Sequence, residues 1–82
     1  MSRVTLYARE GCHLCDEARG AIIALRGEVG PIELREIDID SDDALHAAFL
    51  ERIPVVEVGG RIVSELELDL EAVRAALPPT PA

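Results

Sequence analysis

The chain has 82 residues, of which 49% are apolar and 29% charged, and its 16 acidic against 8 basic side chains give a formal net charge of −8. That size fits one small domain, assigned to residues 1–77. The acidic excess argues against nucleic-acid binding, because phosphate contacts require basic side chains. All eight basic residues are arginine, and the lack of lysine excludes Schiff-base catalysis.

The longest purely apolar run, residues 21–25, is far shorter than the roughly 20 residues that a membrane-spanning helix needs. Nothing near the N-terminus resembles a secretion signal. We therefore expect a cytoplasmic protein that is a monomer and binds no membrane.

The first half of the sequence predicts a strand, a helix and a second strand. Val4 to Ala8 is short and apolar, which is typical of a buried strand. A helix is predicted from His13 to Arg26, with Gly27 as its C-terminal cap. Its inward positions recur at helical spacing: Leu14, Ala18, Ala21, Ile22 and Leu25. Residues 32–39 then alternate apolar and charged side chains with one slip of phase, which predicts a bulge or an early strand end.

The second half predicts a helix, a hairpin and a final helix. Ser41 is expected to cap a helix with Leu45, Ala48 and Phe49 inward, which should stop before Ile53-Pro54. Residues 55–58 and 61–63 flank Gly59-Gly60, a pair suited to a tight hairpin turn. The last helix is expected to be capped by Asp69 and to bury residues 70, 73, 76 and 77. A proline-rich tail, residues 78–82, follows it.

This order of elements, βαβαββα, predicts an α/β fold. A helical crossover between the first two strands makes them parallel and right-handed, whereas the hairpin adds antiparallel strands. We therefore expect a mixed four-stranded sheet with helices packed against it.

The only two cysteines lie in the segment Cys12-His13-Leu14-Cys15, where the first strand gives way to the first helix. Two cysteines at this spacing in such a place indicate thiol redox chemistry. A cysteine at a helix N-terminus faces free backbone N–H groups, which stabilise the thiolate and lower its pKa. Cys12 is therefore the predicted nucleophile, and Cys15 is the predicted resolving thiol. A protonated imidazole at His13 would add to the oxidising power of the pair.

Two other classes of function stay open at this stage. The cysteines could form half of a zinc site completed by His13 and His46 or by a second subunit, or could hold a bridged [2Fe-2S] cluster. A closed zinc site needs four ligands, however, and His13 adjoins Cys12 too closely to chelate easily beside it. A binding module without turnover is the other alternative. Asp38, Asp40 and Asp42 have the spacing of a calcium loop but lack its glycine and its glutamate, so a solvated acidic turn is expected. No metal site is predicted.

From about residue 3 to residue 77 the chain resembles the glutaredoxin-like branch of the thioredoxin superfamily. The segment Gly11-Cys12-His13-Leu14-Cys15-Asp16-Glu17-Ala18 is especially similar to small bacterial glutaredoxin-like proteins. The resemblance implies a thioredoxin-like fold with strand order 2-1-3-4, Cys12 as attacking thiol and Cys15 as resolving thiol. It also implies a cis bond before Pro54, which packs beside the disulfide and presents the backbone of Ile53 to the substrate.

The resemblance further implies that the chain is a thiol–disulfide oxidoreductase acting on protein or small-molecule disulfides with no bound cofactor. His13, Leu14, Ile53, Pro54 and Arg9 are the expected substrate contacts. Glutathione and a reductase are both candidate electron donors. In glutaredoxins a Gly-Gly motif holds the γ-glutamyl end of glutathione, and residues 63–66 (Val-Ser-Glu-Leu) occupy that place here. The usual active-site aromatic and the preceding lysine are also missing, although Arg9 could replace the charge of the lysine.

Overall fold

The computed structural model describes residues 2–77, which form four strands and three α-helices in the predicted order. The elements are β1 (Ser2–Ala8), α1 (His13–Val29), β2 (Ile32–Asp38), α2 (Asp43–Phe49), β3 (Val55–Val58), β4 (Arg61–Ser64) and α3 (Leu70–Ala76). A 3-10 turn, Ile39–Ser41, joins β2 to α2. The predicted proline-rich tail, residues 78–82, lies outside the described residues. Within residues 2–77 there is no helix with the length and apolar character needed to span a membrane.

The four strands form one mixed sheet with the order β2-β1-β3-β4, as predicted. β1 is parallel to β2 and antiparallel to β3, and β3 is antiparallel to β4. Gly59 and Gly60, with φ angles of 59° and 81°, make the hairpin turn between β3 and β4. Because two consecutive positive φ angles suit glycine, this turn confirms the interpretation of the pair.

Helices α1 and α3 cover one face of the sheet, and the main core lies between them and the strands. Its buried members are Val4, Leu6, Ala8, Cys15, Ala18, Ile22, Leu25, Ile32, Val56, Val73 and Leu77. On the opposite face, the ring of Phe49 at the end of α2 lies 4.8 Å from the ring of Tyr7. Tyr7 pairs across the strands with Val55, which is fully buried. Ala48 and Ala76, expected to point inward, are exposed.

Helix α1 ends three residues later than the sequence predicted, because Gly27 lies inside the helix rather than capping it. The cap is Gly30, which has a φ of 86° and donates its N–H to the carbonyl of Arg26 at 3.1 Å. Val29 packs against the core, so the additional turn buries apolar surface. Pro31 follows the cap and cannot continue the helix.

The N-terminal cap of α2 is Asp42 and not Ser41. Its carboxylate accepts the backbone N–H groups of Ala44 at 2.8 Å and Leu45 at 3.3 Å. The hydroxyl of Ser41 instead donates to the carbonyl of Asp38 at 2.6 Å and closes the 3-10 turn. Asp69 caps α3 as predicted, by accepting the N–H of Ala72 at 3.1 Å.

The slip of phase in β2 reflects neither a bulge nor an early strand end, because the strand continues through the slip to Asp38. Its register with β1 is unbroken from Ser2↔Ile32 to Ala8↔Asp38. Glu36 lies on the same side of the strand as the apolar side chains, and it stays at the surface by pairing with Arg19 of α1 at 2.6 Å. An ion pair at the sheet edge therefore replaces the apolar residue that strict alternation predicts.

Candidate functional site

Cys12 lies at the mouth of α1, at the end of the loop that leaves β1. The backbone N–H of Cys12 donates to the carbonyl of Arg9 at 3.3 Å, and Gly11 adopts a φ of 82° within this tight loop. As the N-cap residue of α1, Cys12 has extended backbone angles, and its Sγ accepts the backbone N–H of Cys15 at 3.1 Å. The sulfur thus occupies the position in which a helix N-terminus stabilises negative charge.

Cys12 and Cys15 form a disulfide with their Cα atoms 5.2 Å apart. The two residues differ in accessibility: Cys12 is partly exposed, whereas Cys15 is fully buried and belongs to the core. An external thiol or disulfide can therefore reach Cys12 but not Cys15. The two cysteines thus differ in the access that they allow to an external reactant.

The two residues between the cysteines point outward. His13 is exposed, and Leu14 keeps 47% of its surface accessible to solvent. The prediction that Leu14 is the first buried residue on the inward face of α1 was wrong. The first buried residue of α1 is Cys15, and Ala18 follows it on the same face at helical spacing. His13 and Leu14 are consequently available to contact a substrate beside Cys12.

Pro54 lies at the same end of the sheet as the cysteines. The pairing of Tyr7 with Val55 places Pro54 opposite Ala8, directly before the Cys12 loop. The Ile53-Pro54 bond is cis, as predicted, and Pro54 is fully buried. The N–H of Ile53 donates to the carbonyl of Phe49 at 3.0 Å. The backbone of Ile53 was expected to be presented to a substrate, but its N–H already has a partner within the protein. This N–H can pair with a substrate only after its hydrogen bond to Phe49 opens.

Arg9 is held by an acidic neighbour. Its guanidinium lies 3.3 Å from the carboxylate of Asp40, which also lies 3.6 Å from the imidazole of His46. Arg9 lines a cleft of about 450 Å³ beside the Cys12 loop, formed by Ala8, Arg9, Glu10, Gly11, Asp16, Arg19, Glu36 and Asp38. Hydrogen bonds from Arg19 to Glu36 and Asp16 raise the pKa of its guanidinium and keep it charged. Four carboxylates against two guanidinium groups leave this cleft negative.

On the other side of Pro54, Arg52 joins two loops. Its guanidinium lies 5.0 Å from the centre of the Phe49 ring and pairs with the carboxylate of Glu65. Its carbonyl accepts the N–H of Leu66 at 2.8 Å. Leu66 adopts a φ of 60° and is 53% exposed. The loop after β4 is thereby fixed beside the segment that carries the cis proline.

The sequence model of the "Glutaredoxin-like domain (DUF836)" family matches residues 3–78. The chain belongs to this family. Uncharacterized proteins of Mycobacterium bovis and Mycobacterium tuberculosis are 35% identical to it, over 92% of this chain and 84% of their own length.

Solved structures agree with this assignment. Protein Ne2328 from Nitrosomonas europaea is similar with a TM-score of 0.82 and 29% identity, over 94% of this chain and 92% of that one. Target protein XcR50 from X. campestris is similar with a TM-score of 0.70 and 36% identity, over 88% and 91% of the two chains. A mutant thioredoxin from Halobacterium salinarum has a TM-score of 0.59 at 21% identity, over 93% of this chain and 71% of that one. This glutaredoxin-like domain therefore has a thioredoxin-like fold.

The sequence motif located the cysteines of this glutaredoxin-like domain but gave no sign of Arg52 or Leu66. The alternation Glu65-Leu66-Glu67-Leu68 carries no glycine or asparagine that would indicate a positive φ. The interactions of Arg52 join residues far apart in the chain, so no local spacing predicts them.

Two of the three aspartates with calcium-loop spacing serve as caps, and the third, Asp40, pairs with Arg9. Asp38 accepts the N–H of Asp40 at 2.8 Å, and Asp42 caps α2. Among residues 2–77, no three or more His, Cys, Asp or Glu side chains are grouped so that they could hold a metal ion.

Proposed function

We propose that this glutaredoxin-like domain is a thiol–disulfide oxidoreductase that cycles between a dithiol and the Cys12–Cys15 disulfide. One observation carries the proposal: Cys12 is a partly exposed residue at the mouth of α1, and its sulfur accepts the N–H of Cys15, which is itself fully buried. This arrangement favours attack at one sulfur and resolution by the other. Membership of the family and the thioredoxin-like fold support the same chemistry.

In the first step the Cys12 thiolate attacks one sulfur of a substrate disulfide. A new bond forms between Cys12 Sγ and that sulfur, the substrate S–S bond breaks, and the second substrate sulfur leaves as a thiolate that takes a proton from water. The N–H of Cys15, 3.1 Å from Cys12 Sγ, stabilises the attacking anion.

In the second step Cys15 loses its proton and attacks Cys12 Sγ. The mixed disulfide breaks, the remaining substrate thiolate leaves and is protonated, and the intramolecular disulfide forms. Two electrons and two protons have then passed from the protein dithiol to the substrate. In the disulfide form the two Cα atoms lie 5.2 Å apart, within the usual range for such a bond.

The substrates are disulfides of proteins or small molecules, and the active form is the dithiol. Regenerating it requires two electrons, either from two glutathione molecules that leave as glutathione disulfide or from a reductase with its own dithiol. A compartment that keeps thiols reduced, such as the cytoplasm, fits this cycle. Of the residues expected to contact substrate, His13, Leu14, Ile53 and Arg9 keep accessible surface and remain proposed contacts, whereas Pro54 is fully buried and does not.

Trapping with Cys15→Ser tests the proposal. This variant keeps the attacking thiol but cannot resolve, so it should accumulate mixed disulfides with substrate proteins in a cell extract and release them on reduction. Cys12→Ser is the matched control, since it keeps a cysteine of the same pair but removes the attacking thiol. It should trap nothing and should not reduce a small disulfide.

Two results would contradict the proposal. If neither variant forms mixed disulfides, Cys12 is not an attacking thiol. If Cys12→Ser retains the same partners without a covalent bond, the domain is a binding module in which the cysteines play no chemical part.

A further inference from the structure

Leu66 combines two features that are unfavourable in a folded chain. It is the only residue other than glycine with a positive φ among residues 2–77, at 60°. It is also 53% exposed, more than the other exposed large apolar residues of the described chain: Leu14, Ile23, Leu50 and Ile62. A left-handed leucine is strained, and such residues persist where the surrounding structure holds them and often where function uses them. Neither burial nor helix formation accounts for this leucine.

The strand register places Leu66 at the end of the sheet where the cysteines lie. Val56 pairs with Ser64, so continuing the antiparallel register brings Leu66 level with Pro54. The hydrogen bond of 2.8 Å from the N–H of Leu66 to the carbonyl of Arg52 agrees with this placement. Pro54 in turn lies level with Ala8, from which the chain runs to Cys12. Leu66 and Leu14 thus offer exposed apolar surface at the same end of the sheet as the partly exposed Cys12.

The charges around Leu66 oppose the binding of an anion there. The neighbouring Glu65 and Glu67 are exposed carboxylates, and the guanidinium of Arg52 is already paired with Glu65. The γ-glutamyl end of glutathione carries a carboxylate and would find no unpaired cation among these residues. An uncharged apolar group meets no such penalty and gains from contact with the leucine.

We propose that Leu66 is a specificity-determining residue of this domain, whose side chain contacts an apolar side chain next to the reacting cysteine of a polypeptide disulfide. The inference rests on the proposed oxidoreductase function and names its substrate class. The pairing of Arg52 with Glu65 and its carbonyl hydrogen bond position the leucine, and its left-handed backbone directs the side chain away from the core.

The test is a single turnover from the fully reduced protein, which needs no external electron donor. Two short peptide disulfides of equal charge are compared, with leucine or with alanine next to cysteine. In each reaction the Cys12–Cys15 dithiol is oxidised and one peptide disulfide becomes two thiols. We expect the leucine-flanked peptide to react about five- to tenfold faster, as fits the partial burial of one apolar side chain.

Leu66→Gly is expected to bring the ratio of the two rate constants to within about twofold of one. Glycine accepts a φ of 60° without strain, so the thermal midpoint of this variant should be at or above that of the wild type. Leu66→Met should retain the wild-type ratio, because methionine restores an apolar side chain. Ile62→Thr, which changes another exposed apolar residue of the same hairpin (42% exposed), is the matched control and should also retain it.

If the ratio of the two rate constants is the same in Leu66→Gly as in the wild type, this inference is wrong. The leucine then either contacts nothing or is covered by a second copy of the chain. Hydroxyethyl disulfide, which has no flanking side chain, separates the two levels of the proposal. If hydroxyethyl disulfide oxidises the reduced wild type and both peptides react at equal rates, the proposed oxidoreductase function is supported and the role of Leu66 is contradicted. If the wild type reacts with none of the three, the proposed function fails and this inference with it.

Discussion

At the scale of single residues, the Cys12 sulfur is acted on by opposing influences. The N–H of Cys15 donates to it at 3.1 Å, and a hydrogen bond to a charged group contributes about 1.5 to 3 kcal/mol. Glu10, Asp16 and Glu17 oppose the thiolate, but exposed charges interact by only about 0.2 to 1 kcal/mol. The hydrogen bond and the helix N-terminus should therefore prevail.

The first prediction is that the pKa of Cys12 lies below the ordinary value of a free thiol, about 8.5. Thiolate absorbance of Cys15→Ser, which leaves Cys12 as the only thiol, would measure it directly. The rate of reaction with a small disulfide should rise with pH through the same value. A pKa at or above that of a free thiol would show that the helix N-terminus does not activate this residue.

The second prediction concerns Tyr7, the only tyrosine in a chain without tryptophan. Burial raises its pKa, and the carboxylate of Glu57, 3.5 Å from the hydroxyl, raises it further. Tyrosinate absorbance should therefore titrate above the ordinary value of about 10, and Glu57→Gln should lower the midpoint. Because the pKa of Tyr7 is higher in the folded than in the unfolded protein, the free energy of unfolding falls as the pH rises from the unfolded-state pKa toward the folded-state pKa. A midpoint that is the same in the folded and the denatured protein would contradict this.

Local chemistry predicted some of the site residues and could not predict others. The spacing of Cys12 and Cys15 at a strand-to-helix junction was sufficient to place both at the start of α1. The exposure of Leu14 was missed, since a pattern of apolar residues does not show where the buried stripe begins. The positive φ of Leu66 was missed because no glycine or asparagine marks it, and its hydrogen bond to Arg52 joins residues 14 apart in the chain.

At the scale of elements, the order and pairing of the strands were predictable, whereas the helix ends were less so. Parallel pairing of β1 and β2 follows from the helix between them, and the hairpin follows from Gly59-Gly60. The end of α1 was misplaced because Gly27 and Gly30 both suit a cap by residue type. Packing of Val29 against the core selects the later one.

The third prediction uses these two glycines as a matched pair. Gly30 has φ 86° and ψ −162°, a conformation available essentially to glycine alone, so Gly30→Ala should lower the free energy of unfolding by about 1 to 3 kcal/mol. Gly27 lies within α1, and a methyl group added there meets no atom within 4 Å. Gly27→Ala should therefore raise the free energy of unfolding by about 0.5 to 1 kcal/mol. Denaturant unfolding measures both, and equal effects in the two variants would contradict the assignment of the cap.

At the scale of the whole molecule, the formal charge of −8 creates a long-range field around the site. The negative cleft beside the Cys12 loop has the same sign as the net charge. A field of this kind raises the local concentration of cations and lowers that of anions before any contact forms. Substrate charge should consequently affect the rate of encounter with Cys12 even where the bound contacts are apolar.

The fourth prediction compares cystamine, a disulfide with two ammonium groups, with glutathione disulfide, which carries a net negative charge. Their intrinsic reactivities differ, so the informative quantity is the salt dependence of the ratio of their single-turnover rate constants. The ratio should favour cystamine most at low salt and decline several-fold as the Debye length falls from about 30 Å at 0.01 M to about 3 Å at 1 M. Glu10→Gln, in the cleft, should weaken this dependence more than Glu33→Gln, at the opposite end of the sheet and paired with Arg3. A ratio that does not change with salt would mean that the charge of the molecule plays no part in selecting disulfides, and that contacts at the site alone decide.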